Sequence, residues 1–565
     1  MKNLLRLCLA AAMSATLHAQ QSGDPAAKIR ELAAQNNHRE AADLGKQVLA
    51  STQDAGLAAE VLDLTFESLS SLGAHVEQEK VIEDAAARFP QSWRVLLNAG
   101  IRVLRLPSYG EVLDGEYRRG GYRGGGRHVQ SQIRDRTRAL QLLEAAWKAL
   151  PADATSPVRL DVLHGLESAL RHGRNYFHQA WSLQVLTDLS ELPDYDDQSG
   201  LDSSIGGYPV DAEGHPVFFK AAQSWESAAS DGERLLWIME KRERMEPARV
   251  WQHRQTRAVM ARQWFSVNTL AYYGIRFDSS ESDESETRGG IASLHTLKDG
   301  ETTARLATGA KRFELPAEWA FLHLLRAVAE SADAPDYLRV GAWSQIAEEM
   351  NDRRQYPRAS EALRQAIALE KDTNQKAQLQ SRLDQITGNL GRFDPLPPQP
   401  AGTEAKLSLV FRNASKIELS ARRVDVGRLL DDTEAYLRGE PQDRDWQKTN
   451  LGMIGRRLLE EGGDKYLAPV SHTWTQGLEP RANHWDRRVD VPTPLKEAGA
   501  WLVEGAFEGG GKARALLWLE SLNIVHVRQP DGGLYYIADA VTGEPVRDAR
   551  VKFMGYRSEW ARPGL

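Results

Sequence analysis

Apolar positions follow two different periods along this chain. From about residue 24 to 392 they recur every three or four residues. Ile29, Leu32 and Ala33 share one face, the polar turn Asn36-Asn37-His38 follows, and Ala41, Ala42, Leu44, Val48 and Leu49 share the next. A second pair runs through Leu57, Val61, Leu62, Leu64 and Leu69, then Val81, Ile82, Ala85 and Ala86. This spacing predicts helices, and small alanines between short polar turns predict stacked helical hairpins. The texture returns at Ala359, Ala362, Leu363, Ala366 and Ile367, with Pro357 suited to a first helical turn. A last helix through Leu379, Leu383 and Ile386 should stop near Gly388 and Gly391.

Beyond the proline-rich segment Asp394–Gly402 the period becomes two. Leu407, Leu409 and Phe411 alternate with polar residues, as do Ile417, Leu419 and Ala421, then Trp501 and Val503. After the turn Gly509-Gly510-Gly511 come Leu516-Leu517-Trp518, Ile524-Val525-His526-Val527, Tyr535-Tyr536-Ile537 and Val551 with Phe553. Short strands divided by glycine turns predict a β-sandwich over 403–529, with a helical insertion through Leu429, Leu430, Leu437, Ile454 and Leu458. The segment 394–402 reads as a linker between two independently folding parts. Residues 530–565 supply two or three strands, too few for a sandwich, so they read as the start of an incomplete second domain. The expected fold class is α+β multidomain: a helical repeat domain over 24–392, then one or more β-sandwiches.

Three stretches interrupt the helices. Residues 115–127 form a Gly-Arg loop, 195–219 is an ordered loop or small hairpin, and 278–286 holds five acids and four serines as a solvated loop.

The first 19 residues carry Lys2 and Arg6 near their start, Leu4–Leu17 is mostly apolar, and small Ala19 precedes Gln20. That is the pattern of a secretory signal peptide, too short for a spanning helix. Without it 69 basic residues face 78 acids, a net charge of −9. A mildly acidic chain has no general reason to bind nucleic acid or anionic lipid. The one cysteine, Cys8, lies inside the leader, which excludes a disulfide scaffold and any multi-cysteine metal site. No later stretch reaches the roughly 18 apolar residues of a stable membrane span.

Few positions suggest chemistry. Arg118, Arg119, Arg123 and Arg127 interleave with Tyr117 and Tyr122. Charge plus stacking could bind phosphate or RNA. The alternative, favoured by net negative charge and export, is a surface loop whose arginines pair with the chain's own acids. Glu504–Ala513 brushes against a phosphate loop, but Ala506 and Ala513 break the pattern and a hairpin turn explains it better. His472 and His484 lie near Trp474 and Trp485 in strand-rich sequence, where a polar or surface role outweighs a metal or catalytic one. Trp501 and Trp518 sit in apolar alternation and read as core, not as a glycan platform. No catalytic, cofactor-binding, metal or thioester residue is singled out, and a non-enzymatic protein is expected.

The helical texture resembles tetratricopeptide repeats, without their full signature. The stretches LVFRNASKIELSARRVDV (409–426), DWQKTNLGMIG (445–455) and GGLYYIADAVTGEPVRDARVKFMGYR (532–557) resemble the opening of the β-domain array in bacterial alpha-2-macroglobulin-like proteins. The helical half resembles the amino-terminal region of a subset of them, through RRGGYRGGGRHVQSQIRDRTRALQLL (118–143), LPDYDD (192–197) and YPVDAEGHPVFF (208–219). The resemblance implies an exported protein, periplasmic or extracellular, with macroglobulin-like domains. It implies a peptidase-inhibitor or host-defence role by protein binding, with peptidases or other envelope proteins as partners and no cofactor. Members often use a Cys–Gln thioester, for which the exported chain holds no cysteine. The expectation is a natural truncation or the front portion of a longer molecule. The competing expectation is a periplasmic helical-repeat scaffold that binds a partner protein.

Overall fold

The computed structural model describes residues 24–121, 125–174, 179–195, 206–273, 293–439 and 464–553. Several expectations lie outside them: the leader with Cys8, Tyr122 and Arg123, the acidic run 278–286, the tract 445–455 and the last twelve residues, 554–565. The described chain is α+β, with 14 α-helices and five sheets. It divides into two compact units. One holds residues up to Ile275 and Lys298–Leu338; the other holds Arg276–Leu297 and everything from Arg339.

The first unit opens with the expected helices: α1 (Pro25–Ala34), α2 (His38–Ser51), α3 (Ala55–Ser71), α4 (His75–Arg88) and α5 (Trp93–Val103). Their starts follow from local chemistry. Asp24 accepts a bond from the Ala26 amide at 3.0 Å with Pro25 beside it, and Asp54 caps α3 through the Gly56 amide at 2.7 Å. Next comes a three-stranded sheet, β1 (Tyr109–Leu113), β2 (Glu116–Arg119) and β3 (Arg127–Gln130), in the order β2-β1-β3. Helices α6 (Gln132–Lys148) and α7 (Ser156–Arg171) follow. Leu143 of α6 is wedged between two glycines: a Cβ on Gly100 of α5 would lie 2.6 Å from its Cγ, and one on Gly165 of α7 2.7 Å from its Cδ2. Only a bare backbone lets these helices approach so closely.

Beyond α7 the unit is less regular. Helices α8 (Asp231–Met245) and α9 (Val250–Phe265), the hairpin β4 (Glu301–Leu306) with β5 (Gly309–Glu314), and α10 (Phe321–Glu330) surround an aromatic core. Buried Tyr208 lies 4.3 Å from the Phe265 ring and 5.7 Å from Phe219, and Trp264 lies 5.4 Å from Trp319. The backbone at Tyr208 pairs with β4, and Val210 bridges Pro216, so the described part of 195–219 is the small hairpin expected. Gly207 is required there: its φ is +120°, and a Cβ would strike the Leu306 carbonyl carbon at 2.6 Å.

Helix α11 (Asp336–Asp352) carries the chain across the division. The second unit then holds the expected pair α12 (Tyr356–Leu369) and α13 (Thr373–Thr387), which ends at Gly388. Its strands are β6 (Leu390–Phe393), β7 (Gln399–Pro400), β8 (Lys406–Arg412), β9 (Lys416–Val424), β10 (Leu467–Gly477), β11 (Arg487–Pro492), β12 (Gly499–Phe507) and β13 (Lys512–Glu520). They form two sheets, ordered β10-β9-β12-β13-β7 and β11-β8-β6. Leu407, Leu409 and Phe411 of the smaller sheet share one apolar cluster with Ile417, Leu419, Trp501 and Val503 of the larger. The alternation read from sequence thus marks the inward faces correctly. Helix α14 (Val426–Arg438) is the described part of the insertion.

Several boundaries differ from expectation. Residues 24–392 are not helical throughout, since two β-elements interrupt them. The segment 394–402 is not a free linker. Asp394 donates to the Ser408 carbonyl at 2.9 Å, Gln399 and Pro400 pair with Leu519 and Glu520, and the Gly402 amide bonds the Lys496 carbonyl at 2.8 Å. Proline is tolerated at a sheet edge, and the amides on either side of the proline run make bonds. The division of the chain falls instead between Leu338 and Arg339. The strands β14 (Leu522–Gln529) and β15 (Gly532–Asp539) form one antiparallel hairpin, so the boundary expected at 529/530 lies at its turn. Ala549–Phe553, expected as a strand, is irregular.

Candidate functional site

The Gly-Arg stretch is partly a β-hairpin. Asp114 and Gly115, with φ of 53° and 82°, form the tight turn between β1 and β2. The pairing sets Gly110 opposite Arg119, and a side chain on Gly110 would strike the Arg118 carbonyl at 2.4 Å. Arg119 therefore turns into the protein and is 2 % exposed, while Arg118 and Arg127 stay exposed on their strands.

Arg119 spends its guanidinium on two carboxylates. Nη1 and Nη2 donate to Asp135 Oδ2 and Oδ1 at 2.7 and 2.8 Å, and Nε and Nη2 donate to Glu79 Oε2 and Oε1 at 3.1 and 3.0 Å. Nη1 also reaches Ser131 Oγ at 2.9 Å and the Pro107 carbonyl at 2.8 Å. Burial works against this charge, but the bonds to Asp135 and then Glu79 outweigh it, so the pKa is raised. Tyr117 stacks on Tyr195 with ring centres 4.0 Å apart. Arg134 lies 4.8 Å over the Tyr195 ring and donates to the Pro193 carbonyl at 2.8 Å. Arg138 forks onto Glu83 at 2.9 and 2.5 Å. Burial raises the pKa of both tyrosines, which stay neutral phenols at physiological pH.

A cleft of about 370 Å³ opens here, walled by Glu79, Glu83, Arg119, Arg134, Arg138 and Tyr195. Asp135 joins the same wall, so three carboxylates meet three guanidiniums. The cleft's polar lining among the described residues is carboxylate, guanidinium and phenol. It joins two stretches distant in sequence, the Gly-Arg hairpin at Arg119 and the loop at Tyr195. Sequence reasoning missed Glu79 and Asp135 as the partners of Arg119. A local signal existed for Asp135, which follows Ser131 by one helical turn and accepts its hydroxyl at 2.7 Å.

The other sequence candidates are scattered. Glu504–Ala513 is the β12–β13 hairpin, whose turn glycines Gly509 and Gly510 have φ of 90° and 102°. His472 stands on β10, edge-on to Trp501 at 5.6 Å. His484 bonds Asn413 Oδ1 at 2.8 Å, and burial, then Arg412 and Arg364, lower its pKa. Trp485 packs edge-on against Tyr356 at 6.0 Å. Trp501 is buried and Trp518 packs against a smaller apolar cluster. Asp211, Glu213 and His215 form an exposed trio of metal-ligand type that sequence reasoning did not single out. Asp211 Oδ1 is already engaged by the amides of Glu213 and His215 at 3.1 and 2.7 Å, which makes the trio a self-bonded turn. A shallow groove of about 510 Å³ crosses the outer face of the larger sheet, with Glu504 paired to Arg514 at 2.8 Å.

No family model matches the chain, and no curated protein matches it. Among solved structures, the crystal structure of native alpha-2-macroglobulin from Escherichia coli spanning domains MG0-NIE-MG1 aligns at 14 % identity over 28 % of this chain and 47 % of that one, with a TM-score of 0.20. A TM-score that low establishes neither fold nor family. No described helix is long and apolar enough to cross a membrane.

Proposed function

We propose that this chain is an exported alpha-2-macroglobulin-like protein, similar to the amino-terminal portion of that family. It acts by binding proteins, as a peptidase inhibitor or in host defence, and not as an enzyme. One observation carries the reading. The residues that bear the sequence resemblance are those the chain uses to build itself. Leu409–Val426 supplies β8, β9 and the start of α14, and Gly532–Asp539 is β15. Arg118–Leu143 and Leu192–Tyr195 meet at the Arg119 cleft. Under this reading the two sheets of the second unit are a macroglobulin-like sandwich, and the paired helices are a tetratricopeptide-like array. The cleft, lined by fixed charges and tyrosine, suits recognition of a protein surface. Localisation in the periplasm or outside the cell follows from the leader.

The test is inhibition. The full chain is incubated with trypsin-, subtilisin- and thermolysin-type endopeptidases, and hydrolysis of a protein substrate is compared with that of a small peptide. The expected result is slower cleavage of the protein substrate by at least one peptidase. Equal rates with and without the chain for all three would overturn the reading and favour the scaffold alternative.

A further inference from the structure

Buried charge is unbalanced near the start of α8. Asp231, fully buried, accepts bonds from the Thr187 amide at 3.1 Å, Thr187 Oγ1 at 2.6 Å, Arg174 Nη2 at 2.7 Å and Arg234 Nη1 at 3.3 Å. Arg234 Nη1 also donates to the Thr187 carbonyl at 3.0 Å, and Arg174 Nη1 to the Leu170 carbonyl at 3.2 Å. A third guanidinium, Arg136 of α6, is 5 % exposed. Among the described residues it makes one hydrogen bond, from Nη1 to the His172 carbonyl at 3.2 Å, and no ion pair. The Nε atoms of Arg136, Arg174 and Arg234 are all buried without a partner, and so is His172 Nε2. Asp135, the sequence neighbour of Arg136, is committed to Arg119.

Among the described residues, three buried guanidiniums thus face one carboxylate, an excess of two positive charges. Burial, and then the field of Arg174, pull the Arg136 pKa down to about 9, with Asp231 opposing. The side chain still carries its charge at neutral pH. A buried charge without a counter-charge is costly, and at neutral pH Arg136 does not shed it by deprotonation. An unpaired guanidinium fork is shaped for an oxyanion.

We propose that Arg136 and Arg174 hold a small dianionic oxyanion of the sulfate or phosphate class. A dianion matches the excess charge. His172 is partly exposed, and its buried, unpartnered Nε2 can add a donor. The bound ion would lock α6 to the segment after α7, which the Arg174–Asp231 pair ties to the start of α8, so it acts on stability and on the shape of this unit.

The test uses the full chain in a buffer free of oxyanions. The unfolding midpoint is followed as sulfate or phosphate is added, against sodium chloride of equal ionic strength, and the ³¹P linewidth of phosphate is recorded in parallel. The expected result is a midpoint rising by several degrees and a broadened ³¹P line. Arg136→Met should show neither response, and in ion-free buffer it should be at least as stable as the parent, since an unpaired charge has been removed. Arg136→Lys, which keeps the charge but loses the fork, should respond several-fold more weakly. No response of the parent beyond that to chloride, or an undiminished response in either variant, would overturn the proposal.

Discussion

Replacing Arg119 by methionine should loosen the first unit more than any other single change in the hairpin. The substitution keeps an unbranched apolar stem but strips four charge-assisted bonds from Asp135 and Glu79. The two carboxylates are not equivalent. The Asp135 side chain is 4 % exposed and would stay buried as an uncompensated charge, whereas that of Glu79 is 37 % exposed and water can take it over. Breaking a buried pair from one side costs about 3–5 kcal/mol. Since the chain has two units, global unfolding is a poor readout, and native-state hydrogen exchange of the buried α6 amides near Leu140–Leu143 is better. Those amides should exchange roughly a hundredfold to a few thousandfold faster in Arg119→Met. Adding Asp135→Leu removes the orphaned charge, so the double variant should lose less than the sum of the single losses by about 1–3 kcal/mol. Strictly additive losses would refute the argument that the cost lies in the stranded carboxylate.

Gly100→Ala should destabilise the α5–α6 crossing by about 1–3 kcal/mol of overpacking against Leu143, less the roughly 1 kcal/mol gained in helix propensity, and an unchanged or raised melting midpoint would show the crossing to be looser than described. His164, His172 and His484 all have lowered pKa values with burial as the leading cause, so the unfolded chain binds more protons as pH falls below about 6.5. Stability should therefore be fully present above that pH and decline toward pH 5.5, with a shallower decline in His484→Gln; equal slopes in urea titrations of the two proteins would refute this. Incubation with a peptidase followed by denaturing electrophoresis should give no methylamine-blockable adduct, because the one cysteine, Cys8, lies within the first 19 residues, which the export reading removes. Amides of Ile524–Val527, in a hairpin exposed on both faces, should exchange much faster than those of Leu516–Leu519, and equal rates would mean that something covers the hairpin.

The fold was legible wherever a period met a burial surface. Leu407, Leu409 and Phe411 alternate because one face of β8 is buried, and Ala41, Ala42 and Leu49 recur because one stripe of α2 is. It was illegible where tertiary pairing overrode composition. Four prolines in seven residues read as a linker, yet Gln399 and Pro400 pair at a sheet edge and the amides flanking the run are bonded. Strand β10 read only as strand-rich sequence around His472, without bounds, because it is exposed along most of its length and carries few apolar residues. The cleft was half legible. Arg119 and Tyr117 stood out, but Arg134, Arg138 and Tyr195 did not, and nothing local distinguishes buried Arg119 from exposed Arg118. That difference comes from the register set at the Asp114-Gly115 turn, in a stretch that read as a loop.

The central claim, that this chain works by binding peptidases, is tested most directly by equilibrium binding. Full-length protein is immobilised and exposed to active-site-blocked endopeptidases of several mechanistic classes, with the same protein carrying Arg138→Glu in the cleft wall as comparator. The account predicts saturable binding of at least one peptidase in the micromolar range or tighter, about −8 kcal/mol, weakened by the charge reversal. Absence of binding for every class, with the protein folded by circular dichroism, would contradict it.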